Sequence, residues 1–228
     1  MNNEDTILVP QNAHATCLIL VDTSGSMGGE RIKSVNDGLR QFYQQLLADE
    51  QAKDIIDVAV VSFNDSVEVI QEFMPVSLVT EIPELTATGL TAMGKGLETA
   101  IEMVLERKRI YDMEGIESFI PWIVMFTDGA PTDDISVAKQ RLDAENAKSN
   151  SGRGRIQLWT LAVEGASIDT LQSLTPRNLW ITGNDYSKIF DWTRKSLAVI
   201  SQSKPGDRPV LPNLEGTGAQ TNIPSDWA

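Results

Sequence analysis

Three short segments of the sequence carry side chains that could bind a hard metal ion. Residues 22–26 read Asp-Thr-Ser-Gly-Ser, residues 88–94 contain two threonines, and residues 127–129 read Thr-Asp-Gly. The candidate ligands in these segments are two carboxylates and three hydroxyls, without a thiolate or an imidazole. Oxygen ligands of this kind suit Mg²⁺, which prefers about six of them, and also Mn²⁺. The sequence therefore predicts a site for Mg²⁺, with Mn²⁺ as the alternative ion.

The spacing within the first segment favours a shared centre. Asp22, Ser24 and Ser26 stand at alternate positions, so a curled loop can direct all three side chains to one point. Glycines in and after the segment permit the turns that such a loop needs (Gly25, Gly28 and Gly29). A divalent cation would neutralise the charge of the two carboxylates, Asp22 and Asp128, and would keep a coordination position open for an outside ligand.

The cysteine and histidine content excludes several other chemistries. The chain has one cysteine, Cys17, within an apolar run that predicts a buried thiol, and one histidine, His14, which we expect at the surface. A zinc site built from cysteine and histidine is excluded because the ligands are too few. A Ser-His-Asp triad would have to use His14, and the sequence contains no G-x-S-x-G turn to present the serine.

A near match to a nucleotide-binding loop is rejected as well. Residues 89–96 read Gly-Leu-Thr-Ala-Met-Gly-Lys-Gly, which differs from the P-loop pattern at its last position. There Gly96 replaces the hydroxyl that would hold Mg²⁺. The residues before this loop are also not a buried strand, so nucleotide hydrolysis is not predicted.

Charge and composition limit the partners further. The 228 residues include 19 Lys and Arg against 32 Asp and Glu, which gives a net charge of −13. A surface for nucleic acid is therefore not expected. Residues 1–30 contain no Lys or Arg, and no apolar stretch approaches the ~20 residues of a membrane span. We accordingly expect a cytoplasmic protein that binds neither nucleic acid nor a membrane.

Short apolar runs alternate with amphipathic segments along most of the chain, a pattern typical of a parallel sheet covered by helices. The predicted strands are residues 16–21, 55–63, 67–74, 119–126, 156–163 and 179–182. The predicted helices are residues 30–49, 93–112, 134–149, 167–173 and 185–202. Only three residues join the second and third strands, so this pair should be antiparallel.

The predicted fold class is therefore α/β, with a doubly wound, mostly parallel six-stranded sheet, one antiparallel edge strand and helices on both faces. Residues 13–203 form the predicted domain. Residues 204–228 hold four prolines and three glycines and are predicted to be a partly disordered tail. In such sheets the binding site lies beyond the carboxyl ends of the strands, which is where the polar segments fall.

The D-x-S-x-S segment, the threonine of G-x-T-x-x-G and the later T-D-G together resemble the metal-ion-dependent adhesion site of von Willebrand factor A domains. By this resemblance, Ser24, Ser26 and Thr91 would bind Mg²⁺ through their hydroxyls. Asp22 and Asp128 would bind it directly or through water. In that family the open coordination position takes a carboxylate from a partner protein.

Within the family, residues 18–30 and 35–39 resemble the bacterial TerY-like group, which is linked to tellurium resistance. That group is often encoded beside a kinase-like protein and a PP2C-type phosphatase-like protein, which the resemblance suggests as partners. The predicted function is therefore a non-enzymatic, Mg²⁺-dependent interaction module of a tellurite-resistance, stress-response or phosphorylation-linked system. The alternative is a metal-dependent phosphoryl-transfer or hydrolytic enzyme at the same site, for which the sequence offers no convincing general base.

Overall fold

The computed structural model describes residues 12–149, 154–163, 165–183 and 185–222. The strands of the described chain are β1 (Ala15–Asp22), β2 (Ile56–Phe63), β3 (Val67–Pro75), β4 (Trp122–Thr127), β5 (Gln157–Ala162), β6 (Asn178–Ile181) and β7 (Ala219–Gln220). The α-helices are α1 (Glu30–Leu47), α2 (Met93–Glu114), α3 (Ser136–Ala147), α4 (Ile168–Leu174) and α5 (Ser187–Ser201). Among these helices, none has both the length and the apolar composition needed to cross a bilayer.

The described strands form one sheet in the order β3-β2-β1-β4-β5-β6-β7. The four inner pairings, from β2–β1 to β5–β6, are parallel, whereas β3 and β7 run antiparallel to their neighbours. The predicted doubly wound, mostly parallel α/β sheet is confirmed, as is the antiparallel pairing of β2 with β3. The sheet has seven strands rather than six because β7 adds a second antiparallel edge.

Strand β7 lies in the segment that the sequence analysis separates from the domain. Leu211, Leu214 and Ala219 pack against the core, and the Trp192 indole donates a hydrogen bond to the Pro212 carbonyl at 2.9 Å. Residues 204–222 therefore contribute to the sheet and to its apolar layer. A two-residue strand is too short to show alternating hydrophobicity, which explains why the sequence did not reveal it. Residues 223–228 lie outside the described residues.

Two apolar layers cover the sheet, one on each face. Along β1, Cys17, Ile19 and Val21 face the layer that contains α1 and α5, while Leu18 and Leu20 face the layer of α2, α3 and α4. Every residue of β1 and β4 is buried, as expected for central strands of a parallel sheet. The Cys17 thiol is fully buried as predicted, and burial raises its pKa.

The contact between α1 and α5 depends on a glycine. A β-carbon at Gly38 would lie 2.3 Å from Cδ2 of Phe190, so only glycine allows this approach. The Phe190 ring also stacks on Phe126 of β4, with ring centroids 4.6 Å apart. Gly38 is therefore a close-packing position within the helix.

The expectation that His14 lies free at the surface is wrong. Its side chain is only 19% exposed, and its Nδ1 lies 3.5 Å from Oδ2 of the fully buried Asp57. The same carboxylate oxygen accepts a 2.6 Å hydrogen bond from Arg107 and another from the Tyr111 hydroxyl. His14 belongs to this buried polar group because it forms a bridge to Ser118 beside β1, a long-range contact that local sequence does not show.

Candidate metal centre

The parallel pairing of β1 with β4 brings two of the polar segments together. Val21 pairs with Phe126, so the strands end side by side and the next residues, Asp22 and Thr127, meet at the carboxyl edge of the sheet. The Thr127 hydroxyl donates a 2.7 Å hydrogen bond to Oδ2 of Asp22. This register places Asp128 directly beside the loop that follows β1.

Backbone hydrogen bonds attach the third segment to the first. The amide of Thr88 donates to the Thr23 carbonyl at 2.7 Å, and the amide of Gly25 donates to the Gly89 carbonyl at 3.0 Å. These bonds hold the segment before α2 against the loop after β1. Thr91 therefore reaches the carboxyl edge just before α2 begins at Met93.

All five predicted site residues come together at this edge. The hydroxyls of Ser24 and Ser26 are 3.1 Å apart, and the Ser26 hydroxyl donates to Oδ1 of Asp128 at 2.7 Å. The amide of Ser24 donates to Oδ1 of Asp22 at 2.9 Å. Thr91 and Asp22 both border Gly129, where an added β-carbon would be 3.5 Å from the Thr91 hydroxyl and 3.8 Å from Oδ2 of Asp22.

The carboxylates of the site are removed from solvent. Asp22 and Asp128 are buried, whereas Ser26 is exposed and marks the outer side of the cluster. Burial raises the pKa of Asp22, and the nearby charge of Asp128 adds to this effect. Hydrogen bonds from Ser24 and Thr127 oppose it, because they stabilise the ionised carboxylate. Thr127 was not among the predicted ligands, although its position in the T-D-G segment was the available signal.

Arg31 is a member of the site that the sequence analysis missed. One of its guanidinium nitrogens donates to Oδ2 of Asp128, and its side chain is 29% exposed. Arg31 is the second residue of α1, where the helix dipole disfavours a positive charge. A cation at this helix end needs a nearby anion, and that requirement was the signal available in the sequence.

Tyr186 was also missed, since it follows Arg31 by more than 150 residues in the chain. Its hydroxyl is buried and has no hydrogen-bond partner among the described residues. Burial raises the pKa of Tyr186 to about 12, with the charge of Asp128 adding to the shift and that of Arg31 opposing it. The Tyr186 amide donates to the Ser34 hydroxyl at 2.9 Å, which joins the start of α5 to α1.

The two aspartates after the T-D-G segment cap different helices. Asp134 accepts a 2.8 Å hydrogen bond from the amide of Ser136 in α3. Asp133, its neighbour in the chain, instead accepts hydrogen bonds from the amides of Gly94 and Lys95, at 2.9 and 3.0 Å. It therefore caps α2 and fixes the start of that helix next to Thr91.

The donor set fits a hard divalent cation. Two buried carboxylates and three hydroxyls supply only oxygen, the ligand type that Mg²⁺ and Mn²⁺ prefer. No group of three or more His, Cys, Asp or Glu side chains that could hold a metal ion occurs in the described part of the chain. The guanidinium of Arg31 already lies against Asp128, so the cluster accommodates positive charge at this point.

Solved structures show the same fold. The chain matches the ArnB paralog VWA2 from Sulfolobus acidocaldarius with a TM-score of 0.53 and 17% identity, covering 81% of this chain and 45% of that one. It matches a von Willebrand factor type A protein from Catenulispora acidiphila with a TM-score of 0.56 and 19% identity, covering 82% and 42%. The chain therefore spans less than half the length of these two proteins.

A third structure is similar in size to this chain. The vWF domain of the type V pili tip protein Mfa5 from Porphyromonas gingivalis matches with a TM-score of 0.56 and 11% identity, covering 85% of this chain and 98% of that one. No curated protein shows significant sequence similarity to the chain. The profile of the von Willebrand factor type A domain family, however, matches residues 18–192, which include all the residues of the candidate centre. The chain therefore belongs to the von Willebrand factor type A domain family.

Proposed function

We propose that this domain is a Mg²⁺-dependent protein-interaction module whose metal site engages an acidic residue of a partner protein. The observation that carries the proposal is the convergence of five oxygen-bearing side chains, from three separate segments, at one edge of the sheet. These are Asp22, Ser24, Ser26, Thr91 and Asp128. Bound Mg²⁺, or Mn²⁺ in its place, would supply the positive charge and the open position that a partner carboxylate requires.

The protein's own contacts prepare these side chains for such a role. Because the Ser26 hydroxyl donates its proton to Asp128, it must accept the proton of the Ser24 hydroxyl, and its second lone pair remains to face a cation. The Ser24 amide donates to Oδ1 of Asp22 and the Thr127 hydroxyl donates to Oδ2, and these two hydrogen bonds fix the orientation of the carboxylate. Without a cation, two partly desolvated carboxylates would repel the carboxylate of a partner.

The surface around the site can contribute apolar contact. Leu90 is 59% exposed and directly precedes Thr91, so a partner that reaches the metal would also cover this side chain. From the resemblance to the TerY-like group, we infer a bacterial, cytoplasmic partner of the kinase-like or PP2C-type phosphatase-like class. The same resemblance supports a role in tellurite resistance or phosphorylation-linked stress signalling.

We infer that the domain is not an enzyme. A phosphoryl-transfer or hydrolytic reaction would need a general base near the metal. The one histidine, His14, precedes the start of β1, whereas Asp22 ends it, so about 26 Å separates them at roughly 3.3 Å per strand residue. Metal-dependent turnover of a generic phosphate ester that Asp128→Asn abolishes would support the enzymatic alternative.

Metal titration combined with partner capture tests the proposal. In Ser24→Ala and Asp128→Asn we expect Mg²⁺ affinity, measured by calorimetry, to fall about tenfold or more. Metal-dependent capture of the kinase-like or phosphatase-like protein should be lost in both variants, and EDTA should abolish it in the wild type. Ser173→Ala, an exposed serine of α4, is the matched control and should behave as wild type. Unchanged metal affinity in both site variants would refute the proposed centre.

A further inference from the structure

A cavity of about 440 Å³ lies at the edge of the sheet opposite the candidate metal centre. It is formed at the amino ends of β4, β5 and β6, beneath the end of α5 and residues 206–211. This volume is within the range of small-molecule sites, about 300–1,000 Å³. The residues that matter for its chemistry are the apolar Phe119, Trp122, Ile200 and Leu211 and the basic Arg177 and Arg208.

Arg177 is the unusual member of this cavity. It directly precedes β6 and is half-buried, and desolvation lowers the pKa of its guanidinium. Within the described residues, no carboxylate lies within 4.0 Å of Arg177 or of Arg208. The acid that lines the cavity, Asp207, instead accepts a hydrogen bond from the Lys204 amide at 2.9 Å. A partly desolvated cation without a counter-charge is costly, and a bound anion would remove that cost.

The described residues that line the cavity include two arginines and one aspartate, although the whole chain carries a charge of −13. An adjoining cavity of about 290 Å³ shares Phe119 and Gly206 with the first and is lined by Lys108 and Arg155. Those two side chains form ion pairs with Asp112 and Glu145 outside it. The described residues that line the two cavities thus include four basic side chains and a single acidic one. An anion would be attracted to this edge and repelled by most of the remaining surface.

The apolar wall of the cavity is rigidly supported. Trp122 packs against Trp159, with ring centroids 5.2 Å apart, and against Trp192 at 6.2 Å. The Trp192 indole is hydrogen-bonded to the Pro212 carbonyl, which fixes the segment that contributes Leu211. Phe119 and Trp122 are themselves buried, so an aliphatic group in the cavity would contact mainly the half-buried Ile120 and Leu211 that lie over this aromatic layer.

We propose that this cavity is a second binding site, for a small amphipathic anion. The carboxylate or phosphate head binds Arg177 and Arg208, and the apolar body packs against Ile120 and Leu211, with the buried Phe119 and Trp122 behind them. Arginine suits both head groups because its planar guanidinium can donate two parallel hydrogen bonds. The site is independent of the candidate metal centre, from which the full length of the strands separates it.

Fluorescence titration with 8-anilino-1-naphthalenesulfonate, an aromatic anion, tests the site. We expect saturable binding with energy transfer from the tryptophans, and about tenfold weaker binding in Arg177→Gln and in Arg208→Gln. Arg109→Gln removes the same charge from an exposed arginine of α2 paired with Glu106, and it should bind the probe as wild type. Asp128→Asn should also bind it normally, with or without Mg²⁺, which separates this site from the proposed function.

Competition identifies the head group and supplies the contradicting outcome. Decanoate or decyl phosphate should displace the probe, and their relative potency distinguishes a carboxylate ligand from a phosphate ligand. Decanol, which has the same apolar body without a charge, should be at least about tenfold less effective. Displacement of the probe by decanol as effective as that by decanoate would overturn the proposal. Unchanged probe binding in both Arg177→Gln and Arg208→Gln would overturn it as well.

Discussion

Arg31 and Thr127 show that the two carboxylates of the candidate centre are hydrogen-bonded by the chain itself. Thr127 donates to Asp22, and Arg31 donates to Asp128. These contacts offset part of the cost of placing two buried acids close together. A cation that binds here has to compete with the charge of Arg31, so this arginine opposes metal binding.

Removing that charge should therefore strengthen metal binding. In Arg31→Gln we expect Mg²⁺ affinity to rise between about threefold and tenfold, because the site keeps its two carboxylates and loses a nearby cation. Isothermal calorimetry at fixed ionic strength measures the change. Arg40→Gln, on the same helix and paired with Asp37, is the matched control. Equal or weaker affinity in Arg31→Gln would contradict competition by Arg31.

The residue types that could bind metal were predictable, but their surroundings were not. Asp22, Ser24 and Ser26 share a short segment, so their local spacing already indicates a common target. Asp133 is different, because its partners at the start of α2 are about 40 residues away in the chain. Its place in the sequence, just before α3, would suggest that it caps that helix, and only the tertiary fold shows that it caps α2.

Helix α1 illustrates how an element positions the site. Its Asn36 side chain donates to the Leu85 carbonyl at 2.8 Å and accepts from the Leu85 amide at 2.9 Å, which attaches the segment before Thr91 to the helix. Two residues later, Gly38 lets α5 approach closely enough to bring Tyr186 beside Arg31. The packing of α1 against α5 therefore supports both the fold and the site.

Filling that contact should destabilise the domain. In Gly38→Ala the new methyl group overlaps the Phe190 ring, and we expect the free energy of unfolding to fall by about 1–3 kcal/mol. Alanine has a higher helix propensity than glycine, so Gly38→Ala would raise the free energy of unfolding if packing did not matter. Urea denaturation measures the change, with Gln45→Ala on the exposed face of α1 as the control. A Gly38→Ala protein as stable as wild type would contradict this account of the helix contact.

Most elements could be predicted because their hydrophobic patterns are long and regular. The apolar run at residues 119–126 located β4, although the strand itself begins three residues later, at Trp122, directly after Pro121. Strand β7 could not be found in this way, because pairing with β6 rather than composition makes it a strand. The polar group around Asp57 could not be predicted from local sequence either, because its members come from β2, α2 and the residue before β1.

At the scale of the whole molecule, the sheet separates two proposed sites. The candidate metal centre lies at the carboxyl ends of β1 and β4, and the cationic cavity lies at the amino ends of β4, β5 and β6. Between them, the interior holds three weak acids that burial keeps neutral: Cys17, Tyr43 and Tyr186.

These buried acids predict a loss of stability at alkaline pH. Burial raises the pKa of all three groups, that of Tyr186 to about 12, so the unfolded chain releases their protons at lower pH than the folded chain. From about pH 9 upward the unfolded state therefore binds fewer protons, and the free energy of unfolding falls as pH rises. Each group contributes up to about 1.4 kcal/mol per pH unit.

Urea denaturation between about pH 8 and pH 11 measures this decline. Tyr186→Phe removes one of the three groups and should make the decline shallower than in the wild type. A free energy of unfolding that stays constant over this range, or an identical slope in Tyr186→Phe, would contradict the prediction.

The complete burial of Cys17 also has a practical consequence. The chain has a single cysteine, and its thiol is enclosed between the central strands and the α1–α5 layer, so maleimide reagents should leave the native protein unlabelled. A second thiol introduced by Leu90→Cys would then be the sole reactive position, at an exposed point next to Thr91. A dye attached there would report directly, by its colour or anisotropy, when another macromolecule arrives at that end of the sheet.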